Sequence, residues 1–444
     1  MKSRFSPSLW TAFIVVSVAL LVTASWSIIK VISPAPPRAL AMSTGALDGA
    51  YHQFGLKYQA LLKTNGIALE LKPSTGSIEN LARLNTGEVS VSFVQGGLGG
   101  ILLDPEEEAE NTPLRSLGTI GFEPVWIFSH KVDLSGGLQP LLGRKIAVGV
   151  AGSGNHKVAM ELLGAYGLVD AQGQPRAGTE LVFEGGTGAA ARLQNHAIDA
   201  MLIVAGPQAG SVKQLLADPA MKLASLSQAE GLARRFPYFQ TVSLKRGSVD
   251  PARDLPATDI TLLSTTASLV IHEDLHPALA YLLLEAARQA HAPATLLSRP
   301  GTFPKPEGVE FALSAEASQY YKNGRPFLQT YLPFWMANFV QRLGLMAVPL
   351  IALLLPFFRV VLPAISWWQK SRINRRYGEL KFLEAEIAKG QLTPEEIARA
   401  HQQLDHIEHE VTSSKFPLDF TDRIYTLRQH VGFVRDSLAR QKAP

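Results

Sequence analysis

The sequence predicts an α/β domain with mainly parallel sheets, held between two transmembrane helices and followed by a helical cytoplasmic tail. Three observations carry this expectation. Two apolar runs of bilayer length stand at residues 9–29 and 340–363. Between them, short β-like runs alternate with helical patterns. Glycine and small hydroxyl residues recur where a strand gives way to a helix.

Length and composition fit that plan. A chain of 444 residues is long enough for two or three compact units. Hydrophobic residues make up 46% and charged residues 18%, apolar for a soluble protein but too polar for a many-span transporter. The net charge of +4 is mild. The basic residues gather beside apolar runs and form no stripe interleaved with aromatics, so no nucleic-acid partner is expected. The chain has no cysteine, which excludes disulfides, thiolate metal sites and cysteine nucleophiles.

The first run, residues 9–29, follows Lys2 and Arg4 and carries Trp10 and Trp26 near its ends. About 20 residues at 1.5 Å each span a hydrocarbon core of about 30 Å, and the two indoles suit its interfaces. A cleaved signal peptide is the rival reading. Its A-x-A pattern, Ala39-Leu40-Ala41, lies beyond Pro34, Pro36, Pro37 and Arg38 and merges with the first strand. An uncleaved anchor is therefore favoured. The second run, 340–363, contains Pro349, Pro356, Pro363 and Arg359, and Trp367-Trp368 follow. Membrane helices tolerate prolines, and an arginine near an end can snorkel. Lys370, Arg372, Arg375 and Arg376 come next with no acid among them. The positive-inside rule then puts both termini, residues 1–8 and 369–444, in the cytoplasm and the main domain outside, with the lipid bilayer as a partner.

Within the outer domain, Ala39–Ser43, Val89–Val94, Val125–Phe128, Lys145–Val150 and Ala200–Val204 read as strands. Tyr51–Leu62 reads as a helix with Tyr51, Phe54, Tyr58 and Leu61 on one face. Ile78, Leu81 and Leu84 mark a second helix capped by Ser77. Val158, Leu162 and Tyr166 mark a third. Strand–helix alternation argues an open α/β sheet.

Four junctions carry the functional signal: Thr44-Gly45 to Gly49-Ala50-Tyr51, Ser74-Thr75-Gly76-Ser77, Gly152-Ser153-Gly154-Asn155, and Gly185-Gly186-Thr187-Gly188. Glycine lets backbone approach a ligand, and helix N-termini offer unpaired N–H groups and a positive dipole end. In open α/β sheets such junctions collect at the carboxyl edge of the strands. Two lobes facing each other aim several helix ends into one cleft, which suits a small anion.

These blocks, in this order, resemble the TAXI family of solute receptors of tripartite ATP-independent periplasmic (TRAP) transporters. The resemblance runs through Ser43-Thr44-Gly45 with Gly49-Ala50-Tyr51-His52, Ser74-Thr75-Gly76-Ser77-Ile78-Glu79-Asn80-Leu81, Gly87-Glu88-Val89 to Val94-Gln95, Val148-Gly149 to Asn155, and Ile198-Asp199-Ala200 to Gly206-Pro207. It covers residues of about 40 to 325. It implies a type II periplasmic-binding-protein fold with two lobes around a cleft. On that pattern the domain runs 38–332, with lobe 1 at 38–130 and 238–325 and lobe 2 at 131–237. The resemblance further implies capture of a small organic anion of carboxylate type, a TRAP-type membrane permease as partner, and a place in the bacterial inner membrane with the main domain periplasmic. The implied ligand-binding residues are Thr44, Tyr51, His52, Thr75, Gly76, Ser77, Gln95, Ser153, Gly154, Asn155 and Gly206. Three positions depart from the pattern: His52 stands for a tyrosine, Gly96-Gly97 for Ser-Asp, and Asn155 for a threonine. Two anchors and a tail are also a variant, because family members typically diffuse freely after signal cleavage.

An enzyme is not expected. Gly186-Thr187-Gly188-Ala189-Ala190-Ala191 fits a dinucleotide fingerprint but lacks the ribose-binding acid, and Gly149 to Gly154 starts like a P-loop without its Lys-Ser/Thr ending. No G-x-S-x-G elbow is present. No cofactor or metal site is expected. His52, His156, Lys157 and Arg192 lie in or near the cleft loops, where a solvated surface role competes with anion contact.

In the tail, Leu380, Leu383 and Ile387, then Ile397, Leu404, Ile407 and Val411, then Leu427, Val431, Val434 and Leu438 give three apolar stripes. Thr393-Pro394-Glu395-Glu396 is a helix start, and Lys389-Gly390 a helix end. The tail is expected to dock a cytoplasmic protein partner. Capture for transport is thus the leading expectation. The alternative is a transmembrane receptor that senses a solute outside and signals through the tail.

Overall fold

The computed structural model describes residues 35–101, 112–130, 132–390, 392–413 and 420–440, with scattered positions between 15 and 27. The chain divides into two compact units, Pro34–Gln341 and Met1–Ser33 with Arg342–Pro444. The expected span at 9–29 lies largely outside the described residues.

The first unit opens with β1 (Ala39–Ser43), α1 (Ala50–Lys63), β2 (Ala68–Lys72), α2 (Ser77–Asn85) and β3 (Val91–Gln95). Then follow β4 (Leu114–Ser129), β5 (Lys145–Ala147), α3 (Gly154–Ala165), β6 (Glu180–Val182), α4 (Gly186–Gln194), β7 (Ala200–Val204), α5 (Gly210–Ala217), β8 (Lys222–Leu223), α6 (Ala229–Arg235) and β9 (Gln240–Leu244). It ends with β10 (Ile260–His272), α7 (Pro277–His291), α8 (Ala315–Asn323), α9 (Phe327–Tyr331) and the start of α10 (Phe334–Ala388). The strand order is β2-β1-β3-β10-β4-β7-β5-β6, with β8 on β4 and β9 on β10.

The pairs β1–β2, β1–β3, β5–β6 and β5–β7 are parallel, as alternation with helices requires. The long strands β4 and β10 run antiparallel to every neighbour they pair with. The sheet is therefore mixed, a correction to the mainly parallel expectation. Gly118, Gly121 and Pro124 interrupt the apolar pattern of β4, so only its second half reads as a strand in the sequence. Gly118 is required by its surroundings. Its φ is +122°, and a Cβ there would lie 2.8 Å from the Lys305 carbonyl oxygen.

β4 and β10 belong to both lobes. In lobe 1, Leu40, Met42, Tyr58, Phe93, Leu117 and Leu269 share one core. In lobe 2 the sheet is covered on both faces, and period-two alternation decides which residue goes where. Val125, Ile127, Leu202 and Leu263 face one cluster; Trp126, Phe128, Met201, Ile203 and Leu262 face the other. Phe239, Leu244 and Ile260 also pack in lobe 2, so the segment from 238 to about 263, expected in lobe 1, sits in the second lobe.

The domain does not end at 332. Phe334 is buried in the lobe 1 core, and Trp335 donates its indole N–H to the Asn65 carbonyl at 2.8 Å. The Arg38 guanidinium lies 5.3 Å from the Trp335 ring. Among the described residues one segment, Phe334–Ala352 with mean hydropathy 1.3, is long and apolar enough to cross a membrane by length and composition. The helix continues unbroken past the expected span to Ala388.

In the second unit the last turns of α10, α11 (Pro394–Ser413) and α12 (Thr421–Arg440) bury Leu380, Leu383, Ile387, Ile397, Leu404, Ile407, Val411, Leu427, Val431, Val434 and Leu438 together, the three stripes read from the sequence. Thr393 and Glu396 form a reciprocal cap: the Thr393 N–H donates to Glu396 Oε2 at 2.8 Å and the Glu396 N–H to Thr393 Oγ1 at 3.3 Å.

Candidate functional site

A cleft of ≈ 320 Å³ lies between the lobes. It gathers the ends that the sequence places there. The helices α1, α2, α3 and α4 begin at Gly49, Gly76, Ser153 and Gly185, and each of these four N-caps lines the cleft. Helix N-termini carry N–H groups with no partner in their own helix and the positive end of the dipole. The carboxyl end of β7, Met201 to Ala205, forms the floor on the lobe 2 side.

Of the residues expected to bind, Tyr51, Thr75, Gly76, Ser77, Gln95, Ser153, Gly154 and Asn155 line this cleft. Several of their side chains are already engaged. Ser153 Oγ caps α3, accepting the His156 N–H at 3.1 Å and donating to the Val150 carbonyl at 2.6 Å. The Asn155 amide ties α3 to β7, donating to the Leu202 carbonyl at 3.2 Å and accepting the Val204 N–H. Thr75 donates through both N–H and hydroxyl to Glu79, at 2.7 and 2.8 Å. Ser77 is not the cap of α2. Gly76 takes that position at φ +143°, and Ser77 Oγ instead accepts the Gln95 N–H at 3.0 Å.

Three expected residues stand elsewhere. Thr44 is fully buried and its hydroxyl meets His52 Nδ1 at 3.2 Å; neither residue lines the cleft. Gly206 lines a second cavity instead. His156 lies outside the cleft lining, its ring 5.4 Å from Phe183, and partial burial lowers its pKa. Lys157 donates to the Gly97 carbonyl at 3.0 Å and pairs with Glu161, and Arg192 pairs with Glu184.

Gln95 differs from the others. It is 4% exposed, lines the cleft, and its Nε2 has no hydrogen-bond partner. A buried amide donor left unpaired costs about 1–3 kcal/mol, so an acceptor in the cleft would be held strongly.

Two acids that sequence reasoning missed also line the cleft. Glu123, on β4, is buried and accepts the Tyr51 hydroxyl at 2.8 Å. Burial pushes its pKa up to about 8, against the opposing pull of the Tyr51 hydrogen bond. Burial, with Glu123 beside it, raises Tyr51 well above the ordinary tyrosine value. Glu123 is therefore protonated at neutral pH. Asp48 accepts the Thr187 hydroxyl at 3.2 Å and the Thr187 N–H at 3.4 Å. This bond joins the loop before α1 to the N-terminus of α4, one element from each lobe. No lysine or arginine is among the lining residues described.

The Gly96-Gly97 departure has a steric reason. A Cβ on Gly96 would lie 2.5 Å from Thr265 Oγ1, and one on Gly97 2.6 Å from the Tyr238 ring. Tyr238 also donates its hydroxyl to Glu161, and the Gly97 N–H donates to Glu310. The pair is a close-packed crossing with no room for the serine and aspartate of the resembled pattern.

A string the motif reading passes over, His272-Glu273-Asp274-Leu275-His276, spells H-E-x-x-H. It lies on no helix. His272 ends β10, and His276 caps α7 by accepting the Ala278 N–H at 3.1 Å. The metalloprotease geometry needs both histidines on one helical face. Among the described residues no group of three metal-ligating side chains occurs.

Two α/β lobes joined by shared strands around a cleft of helix N-termini define a two-lobed cleft domain. Residues 42–290 match the NMT1-like family, and the chain belongs to it. Among solved structures, the periplasmic aliphatic sulphonate binding protein SsuA from Escherichia coli matches at 16% identity over 65% of this chain and 84% of that one, with a TM-score of 0.35. The alkanesulfonate-binding protein SsuA from Xanthomonas axonopodis pv. citri matches at 14% over 58% and 74%, also with a TM-score of 0.35.

Proposed function

We propose that this chain is a membrane-anchored extracytoplasmic solute-binding protein whose cleft captures a small organic anion of carboxylate type. The unpartnered Gln95 Nε2, buried where the N-termini of α2 and α3 meet, carries the reading. With no cation among the described lining residues, the anion is held by neutral donors: this amide and the backbone N–H groups of helix ends. Protonated Glu123 adds no repulsion below about pH 8. The resemblance to TAXI receptors supports a TRAP-type permease as the partner for transport, and the basic flanks of the two apolar runs support an inner-membrane location with both termini cytoplasmic.

The test is a thermal-shift screen of carboxylates followed by titration of Gln95→Leu. Losing a hydrogen bond to a charged group costs about 1.5–3 kcal/mol, roughly tenfold or more in affinity. Unchanged affinity in that variant would remove the cleft assignment.

One observation favours the receptor alternative. The same helix, α10, begins in the lobe 1 core at Phe334 and contributes Leu380, Leu383 and Ile387 to the tail cluster.

A further inference from the structure

Behind the cleft lies a second cavity of ≈ 170 Å³, and Tyr51 and Glu123 line both. Its walls come from α1, from Ile120 to Glu123 of β4, from Gly206 to Gln208 after β7, and from the end of α7. Four aromatic side chains, Tyr51, Phe54, Phe122 and Phe303, line it. Phe122 and Phe303 meet edge to face at 4.9 Å, and Phe54 lies 4.3 Å from the His291 ring. The volume is that of a single-ring guest, because an apolar protein cavity of about 150 Å³ accommodates benzene.

The polar content of this cavity is specific. His291, the last residue of α7, is 7% exposed, lines the cavity, and has no partner for Nε2. Burial, with Lys57 nearby, lowers its pKa to about 3, so the ring is neutral. Glu123, which also lines the cavity, is protonated at neutral pH. Lys57 is the charged group at the exposed edge. An anion would meet only the solvated Lys57 at the rim and a cation no ionised acid, whereas a wholly apolar guest would leave His291 Nε2 unsatisfied. Whether that nitrogen donates or accepts depends on the tautomer, and a hydroxyl serves either way.

We infer that this rear cavity is a binding site, separate from the cleft, for a small neutral hydroxylated ring of the phenol class, with its hydroxyl on His291 Nε2 and its ring among Phe54, Phe122 and Phe303. Both lobes line the cavity, so a guest there touches the strands that join them.

The experiment uses the purified full-length chain in nanodiscs, with empty nanodiscs as the blank, and follows 4-fluorophenol and fluorobenzene by fluorine NMR. In the unaltered chain 4-fluorophenol binds saturably and about five- to tenfold more tightly than fluorobenzene, the worth of one neutral hydrogen bond. His291→Leu abolishes that preference and leaves fluorobenzene binding in place. Gln95→Leu leaves both unaffected, which separates this site from the cleft and keeps the test independent of the solute-capture reading. Equal binding of the two rings to the unaltered chain would overturn the proposal without any variant. So would the absence of saturable binding above the blank, or loss of 4-fluorophenol in Gln95→Leu.

Discussion

Glu123→Gln tests the electrostatics of the cleft most directly. Glutamine matches the shape of the protonated acid and keeps an oxygen for the Tyr51 hydroxyl, which donates at 2.8 Å. In the folded chain Glu123 holds its proton up to about pH 8, against 4.5 for an ordinary glutamate. Between those values the folded state carries a proton that the unfolded state has released. The contribution of Glu123 to stability is therefore fullest below pH 4.5, falls as pH rises, and levels off above about pH 8. At about 1.36 kcal/mol for each pH unit, that interval amounts to about 5 kcal/mol, less whatever water entry and relaxation recover. Glutamine has no proton to lose. Urea unfolding of a 34–341 fragment, followed by the fluorescence of buried Trp126, measures both proteins from pH 5 to 9. The variant gains on the unaltered protein by several kcal/mol across this range, and the difference cancels every other titrating group. Parallel pH profiles would refute the placement of a buried, protonated Glu123.

Three further outcomes are expected. Carboxylate binding in the cleft weakens above about pH 8, as Glu123 ionises beside the bound anion, whereas Glu123→Gln shows no such decline in titrations. Thr187→Val removes the hydroxyl that joins Asp48 of lobe 1 to α4 of lobe 2 and lowers solute affinity by about threefold to tenfold, seen mostly as faster dissociation; an unchanged dissociation rate would count against a latch. A fragment ending at 332 lacks Phe334 and Trp335 and is less stable than one ending at 341 by about 3 kcal/mol or more, read as a lower urea midpoint.

Much of the framework was legible because local chemistry dictated it. β1 and β7 are legible to the residue, since each is a short apolar run bounded by charged residues, glycine or proline. The three tail stripes and the Thr393 cap follow from helical periodicity and capping chemistry. β10 escaped notice because Ser264, Thr265 and Thr266 break its apolar run where it passes between the lobes. In the cleft, glycine and hydroxyl clusters announced helix ends but not which side chains stay available. That depends on partners far along the chain, as when Asn155 is consumed by Leu202 and Val204. Glu123 gave no signal either. A lone acid between Phe122 and Pro124 has nothing in sequence to mark that Tyr51 closes over it. Gln95 was legible as a strand-end residue, but its unsatisfied amide is a property of packing alone.

The paired passage of β4 and β10 between the lobes has a mechanical consequence. Pro124 stands opposite Ser264, Glu123 opposite Thr265 and Phe122 opposite Thr266, so the two strands stay in register through the crossing. A joint of this kind is a leaf spring rather than a swivel. Opening and closing must be accommodated by twist and bend of a hydrogen-bonded ribbon, and the ladder opposes sliding. Two register irregularities nearby, between Ala267 and Ser268 and between Leu269 and Val270, add local twist to that ribbon. Because the connection is an ordered ladder, a change of angle between the lobes needs no slack linker to be ordered from scratch.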